Sequence, residues 1–148
     1  LMLETPAELL ESVLRTNVTG TYNVCREAAK VMLLRRFGRI ITVSSMAVGL
    51  HEEGTSAYSA SKSAVVEMTK IMAKELVTFG ITCNVMAPSM YITGAVNALG
   101  EAVIARALDK LTIKRTLTIE EICNVISFFA SPESSSITGQ VLHMGLVN

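Results

Sequence analysis

The sequence predicts an α/β fold with a parallel sheet covered by helices on both faces, and three observations carry that prediction. Three short β-branched or apolar runs, "RIITVSS" at 39–45, "ITCNVMAP" at 81–88 and "GQVLHM" at 139–144, stay apolar without the alternation of a half-solvated strand. The stretches between them carry apolar residues at helical spacing. The resulting order is helix, strand, helix, strand, a less regular segment, helix, strand, which implies right-handed crossovers and parallel pairing. At 148 residues, half of them hydrophobic, the chain is the size of one globular unit, 1–148, with ample apolar content for one core and no disordered tail.

Taken in order, Thr5-Pro6-Ala7-Glu8 opens the first helix, with threonine as N-cap, proline at the first helical position and Glu8 placed to close a capping box. Leu9, Leu10, Val13, Leu14, Val18, Tyr22, Cys25, Ala29, Met32 and Leu33 then recur at helical spacing. Arg35-Arg36 before Gly38 supply a favourable C-terminal charge and the stop. Asn17-Val18-Thr19-Gly20 weakens the helical ladder and predicts a bend. The second strand, 81–88, ends at its own proline. Val65, Met68, Met72, Leu76 and Phe79 form a stripe that stops at Gly80, so "TSAYSASKSAV" at 55–65 begins a helix. The less regular segment lies between the second strand and the helix that begins near Thr118. Thr118 with Glu121 makes a capping box ahead of Ile119, Ile122, Cys123, Ile126 and Phe129, a helix closed by Ser131-Pro132.

Formal charge is zero and the isoelectric point is about 6.9, so no electrostatic footprint for nucleic acid or an anionic membrane stands out. The basic clusters Arg35-Arg36-Arg39 and Lys110-Lys114-Arg115 read as solvated helix ends and loops. The uncharged run between Glu75 and Glu101 holds Pro88, Gly80, Gly94 and several polar residues, which argues against a membrane span. The N-terminal residues lack the pattern of a signal peptide. Cys25, Cys83 and Cys123 each sit in an apolar pattern with no metal-site or CxxC spacing; buried, reduced thiols in a cytoplasmic protein are the expectation, with no metal.

The chemistry lies in 55–65. Residues four apart share one helix face, so Tyr58 and Lys62 point at the same small volume. A free phenol, with a pKa of about 10, is a poor base near neutral pH, and a cation within a few ångströms lowers it toward the range useful for general acid/base catalysis. The small neighbours Ser59, Ala60, Ser61 and Ser63 leave room for a flat ligand or another helix. By itself such a pair is common on ordinary helices, and its surroundings decide its meaning.

Those surroundings resemble the short-chain dehydrogenase/reductase family, which uses a Tyr-x-x-x-Lys motif with an upstream serine at a strand end. Ser45 stands thirteen residues before Tyr58, which matches the family spacing, and Asn17 matches the asparagine at a bend in the preceding long helix. "ITCNVMAPSMYIT" looks like the strand and loop that close over the nicotinamide, and "SSSITGQVLHM" like the C-terminal strand. Read alone, Ser45 is a strand-end turn residue, Asn17 a helix-kink residue and 88–93 an ordinary loop.

The resemblance implies a Rossmann-like doubly wound parallel sheet, of which this chain is the C-terminal catalytic portion, and hydride transfer between NADP or NAD, NADP slightly favoured, and a ketone or secondary alcohol. In that picture Tyr58 moves the proton, Lys62 lowers the tyrosine pKa and holds the nicotinamide ribose, Ser45 polarises the carbonyl, and Asn17 holds a water leading to Lys62. Pro88, Met90, Tyr91 and Thr93 would join Tyr58 and Lys62 in holding the cofactor. His51 would be a solvated loop residue and His143 packed or interfacial. The nearest branch in look is that of 3-oxoacyl carrier-protein reductases, and a dimer or tetramer built through the long first helix and the Tyr58 helix, at Ala60 and Ala64, is expected.

Departures from the family pattern qualify these expectations. The glycine-rich turn that receives a cofactor pyrophosphate, and the Asn-Asn-Ala-Gly stretch before the long helix, do not occur in these residues. The usual Pro-Gly is Pro88-Ser89, which bears on the path of the nicotinamide loop, and a C-terminal glycine pair is replaced by "HMGLVN". The competing expectation is a non-catalytic scaffold fragment of the same fold that binds no nucleotide alone.

Overall fold

The structure, a computed structural model, describes residues 1–98 and 100–147. The first long helix consists of α1 (Ala7–Leu14) and α2 (Thr21–Arg35) joined through a π-helical turn at Arg15–Gly20. The predicted bend is this π turn, where the backbone ladder widens by one residue and re-aims α2. The start of the helix differs from expectation. Pro6 is the N-cap, while Thr5 closes a 3-10 turn at Met2–Glu4 and donates its hydroxyl to the Leu1 carbonyl at 2.9 Å, so no capping box forms with Glu8. At the other end Arg36, in the left-handed conformation at φ 49°, stops α2. Gly38 instead begins the first strand, at a point where the Met32 side chain occupies the space a Cβ would need.

Strands β1 (Gly38–Val43), β2 (Ile81–Pro88) and β3 (Val141–Met144) form one parallel sheet in the order β1-β2-β3. Gly38 lies opposite Ile81, and Val85 opposite Val141. β1 stops at Val43; the Ser44 N–H still donates to the Met86 carbonyl at 2.8 Å, and Ser45 lies beyond the ladder. β3 starts two residues later than predicted, because Gly139, at φ 72°, turns the chain first.

Helices α3 (Ala47–Leu50) and α4 (Ser56–Leu76) come after β1, and α4 ends through a 3-10 turn at Val77–Phe79 with Gly80 in the left-handed region. The segment expected to be irregular holds two helices, α5 (Gly94–Asn97) and α6 (Glu101–Asp109). Thr93 caps α5 by accepting from the Val96 N–H at 3.1 Å, and 101–109 is rich in good helix formers. The predicted Thr118–Glu121 capping box is formed at the start of α7 (Ile119–Ala130).

β2 is buried along its whole length because both faces of the sheet are covered. On one face Ile40, Ile81 and Cys83 pack with Cys25 and Ala29 of α2 and Met72 and Ala73 of α4. On the other, Met86, Leu117 and Met144 pack with Ile122 and Val125 of α7. Each large side chain fully buried there contributes about 1.5–3 kcal/mol. Asn84, a polar residue in the middle of this strand, is fully buried and satisfied: its amide donates to the Ile137 carbonyl at 2.9 Å and accepts from the Gln140 N–H at 3.1 Å. It pins the approach to β3, and leaving such a group unpaired would be costly.

Several apolar positions expected inside are exposed. Cys25 and Cys83 are buried, but Cys123 is exposed, with Ile119 and Ile126 beside it on the same side of α7. The sheet-facing stripe is Ile122, Val125 and Phe129, and a helical period places Cys123 on the adjoining face. Leu9, Leu10 and Tyr22 are exposed on α1 and α2. Among the described residues, no helix is long and apolar enough to cross a membrane.

Candidate active site

Tyr58 sits in the first turn of α4 and Lys62 one turn on. The Lys62 ammonium lies 5.8 Å from the centre of the Tyr58 ring and donates to the Val43 carbonyl at 3.0 Å. Alternate residues of β1 face β2, Ser44 among them, so the Val43 carbonyl points to the edge of β1 away from β2. The Ser44 hydroxyl donates to the Lys62 carbonyl at 3.2 Å, lacing the end of β1 to the same turn of α4. Lys62 is half-buried, and loss of hydration pushes its ammonium pKa down.

Ser45 is next along the chain. Its Oγ accepts from the Ala47 N–H at 3.2 Å, which opens α3 and leaves the hydroxyl proton free to donate. The loop is tied to α4 by Ser59, whose hydroxyl donates to the Ala47 carbonyl at 3.1 Å and lies 2.9 Å from the Thr55 hydroxyl. Ser45 and Tyr58 are thus positioned by one set of hydrogen bonds. Asn17, in the π turn, donates from Nδ2 to the Ser61 hydroxyl at 3.0 Å, and Ser61 in turn donates to the Tyr58 carbonyl at 2.7 Å. Asn17 therefore reaches the Tyr58 turn through Ser61. Sequence reasoning values Ser61 only for its small size; its place three residues after Tyr58, on the same helix side, was the available signal.

The segment after β2 runs at the carboxyl ends of the strands, where open α/β sheets bind ligands. The Pro88 carbonyl accepts from the Met46 N–H at 3.1 Å and the Met90 carbonyl from the Leu117 N–H at 2.8 Å. Tyr91 forms a bridge with Leu117 and its side chain packs against the cluster of Met86, Leu117 and Met144. Ser89 is buried, its Oγ without a partner among the described residues, and it lies over Gly145 where any Cβ would meet it. The side chain in place of the family's glycine is thus accommodated inward, by a glycine on the strand side.

These residues fit a nicotinamide nucleotide. Tyr58 is 42% exposed, Lys62 has two ammonium protons left after its bond to Val43, and the Thr93 hydroxyl keeps its proton after accepting from Val96. Those groups match the hydroxyls and amide of a nicotinamide riboside. From Met46, the residue after Ser45, a cleft of about 310 Å³ opens between α3 and α6, lined by the apolar Met46, Leu50, Val103 and Ala107 and by the polar or charged Glu52, Thr55, Arg106 and Lys110. His51 is exposed at φ 53°, its Nδ1 2.9 Å from the Gly49 carbonyl, as expected of a solvated loop residue. His143 is half-buried on β3.

Comparison with known proteins identifies the family. A family model described as Enoyl-(Acyl carrier protein) reductase matches residues 1–145. The 3-oxoacyl-[acyl-carrier-protein] reductase of Buchnera aphidicola subsp. Schizaphis graminum is 34% identical over 134 residues, covering 90% of this chain and 55% of that protein. The enzyme of the same name from Staphylococcus epidermidis is 33% identical over the same span and shares. Among solved structures, a 3-oxoacyl-[acyl-carrier protein] reductase from Brucella melitensis superposes with a TM-score of 0.91 at 31% identity, covering 97% of this chain and 55% of that one. A variant of actinorhodin polyketide ketoreductase with NADPH gives 0.91 at 28% identity, covering 98% and 61%. The chain belongs to the short-chain dehydrogenase/reductase family. It spans about half the length of the curated relatives it matches.

Proposed function

We propose that residues 1–148 form the C-terminal catalytic part of an NAD(P)-dependent oxidoreductase that interconverts a ketone and a secondary alcohol, with a 3-oxoacyl thioester as the substrate. The observation that carries this reading is the Tyr58–Lys62 pair on one face of α4, with the ammonium 5.8 Å from the ring and Ser45 bonded to the Ala47 N–H at the start of α3, which Ser59 ties to α4. NADP is favoured over NAD, supported by the NADPH named with one solved relative. The carrier-protein reductases among the relatives support the acyl thioester.

When bound, the nicotinamide supplies or takes the hydride at carbon. Tyr58 gives the carbonyl oxygen its proton in reduction and takes it back in oxidation. Lys62, its ammonium 5.8 Å from the Tyr58 ring, holds ribose hydroxyls with its remaining donors. Ser45 donates its free proton to the substrate oxygen, a positioning and electrostatic role. Asn17 sets the Tyr58 turn through Ser61, and in this reading also holds a water leading to Lys62. Pro88, Met90, Tyr91 and Thr93 shape the loop over the nicotinamide. A cytoplasmic setting and a two-fold homo-oligomer complete the proposal, the latter supported by exposed Tyr22, Val24, Val31 and Leu34 on α2.

The test is Tyr58→Phe in the full chain, assayed by NADPH consumption with an acetoacetyl thioester. A drop in kcat of about 10²–10⁴ with nucleotide binding retained is expected; a rate within about threefold of the unaltered protein would sink the assignment. The second reading, a non-catalytic scaffold, draws on the Lys62 ammonium being bonded to a main-chain carbonyl. Fluorescence titration separates the two, since a scaffold quenches neither NADH nor NADPH.

A further inference from the structure

We infer that Glu52 and Lys110 form an ionic latch that holds α6 across the mouth of the cleft beside Ser45 and controls entry to it; the inference rests on the cleft being the substrate site proposed above. Lys110 Nζ donates to Glu52 Oε2 in an ion pair that spans 58 residues of sequence. Glu52 belongs to the loop between α3 and α4, Lys110 is the C-cap of α6, and both stand at the rim of the cleft. The pair therefore joins the two walls of the cleft directly.

Little else fastens α6. Among the described residues it packs closely along none of the other helices or strands, and Val103 on its inner side stays 42% exposed. Its N-cap is Gly100 at φ 81° and ψ 150°, a backbone conformation essentially confined to glycine, with open space where a Cβ would be. Beyond its C-terminal end, Leu111 is buried and the Ile113 N–H donates to the Gly145 carbonyl at 3.0 Å. The helix is thus hinged at a glycine on one end, and near the other the ion pair adds to the anchor made by buried Leu111 and the Ile113 bond. The second ion pair at its end, Lys114 with Asp109, is local and bridges nothing.

An exposed pair of this kind is weak, which suits a latch that must open at each turnover. With Lys110 engaged by Glu52, the cleft keeps the apolar side chains of Met46, Leu50, Val103 and Ala107 together with Thr55 and the Arg106 guanidinium, so it suits an aliphatic body that carries a polar or anionic end.

The experiment uses the full chain with NADPH and an acetoacetyl thioester. It compares Glu52→Gln, Lys110→Met and the exchanged pair Glu52→Lys with Lys110→Glu, reading amide hydrogen exchange over 101–109 and steady-state kinetics. Each single variant is expected to speed exchange in α6 and to raise KM, both by about two- to fivefold, with a smaller change in kcat, and the exchanged pair to restore both. Raising the salt concentration should erase the difference between Glu52→Gln and the unaltered protein. Unchanged α6 exchange in the single variants, or altered exchange without a KM effect, would overturn the latch. If the protein turns over no thioester at all, the reductase reading fails and control of entry fails with it, while faster α6 exchange in the single variants would still show the ion pair fastening the helix.

Discussion

Lys62 Nζ donates to the Val43 carbonyl at 3.0 Å, while the hydroxyl of the next residue, Ser44, donates back to the Lys62 carbonyl at 3.2 Å. The end of β1 and the second turn of α4 are thus fastened to each other from both sides. The half-buried ammonium is aimed along the strand edge, with a single main-chain acceptor.

This placement makes stability depend on alkaline pH. Burial lowers the Lys62 pKa below its usual 10.5, so between that lowered value and 10.5 the unfolded chain binds more protons than the folded one. Stability contributed through this group therefore rises with pH across that window, and below it the cost of burying the charge is constant. Lys62→Met should flatten that part of the profile. Urea midpoints measured across the alkaline range up to 10.5 would show it, and a slope that survives the substitution would assign the effect elsewhere.

Asn17 and Ser61 should behave as a coupled pair. Asn17→Ala removes the 3.0 Å bond to the Ser61 hydroxyl and should cost about 1 kcal/mol. Ser61→Ala should cost a similar amount, and the double variant less than the sum by about 0.5 kcal/mol or more. Strict additivity in a denaturation cycle would mean that the bond contributes nothing.

Gly145→Ala should destabilise by about 1–2 kcal/mol, because residue 145 sits at φ 84° and the added Cβ meets the Ser89 hydroxyl. Adding Ser89→Gly should recover the steric part of that loss and leave the conformational part. A Gly145→Ala protein within about 0.5 kcal/mol of the parent would contradict the close approach.

The Glu121 carboxyl is held down at about 2, first by its bond to Arg115 and then by the Thr118 N–H. A depressed carboxylate contributes stability above its unfolded pKa of about 4.5 and loses it as pH falls through about 2. Arg115→Gln should move the Glu121 titration upward, as followed by carboxyl carbon NMR. An unmoved titration would show that the capping bond alone sets it.

Local signals in the sequence were enough for the strands, for α4 and its end at Gly80, and for the Thr118–Glu121 box, since each depends on residues within one or two turns. The spacing of Tyr58 and Lys62 placed them on one helix face for the same reason. Thr5 shows the limit of such signals: it has the right type and spacing for a capping box, but the preceding 3-10 turn gives its hydroxyl the Leu1 carbonyl instead. Cys123 shows another, because periodicity identifies an apolar helix without saying which of two adjoining faces meets the sheet.

By itself, then, the sequence determined the α/β class, the order of its elements and the residue types of the candidate site, all products of backbone periodicity and short-range hydrogen bonding. The tertiary structure alone decided that Lys62 reaches Val43, that Asn17 meets Ser61, that Ser89 folds over Gly145 and that Glu52 closes on Lys110. Each of those pairs joins segments far apart in the chain or aims a side chain across an interface, and only the packing of helices onto a sheet sets such distances.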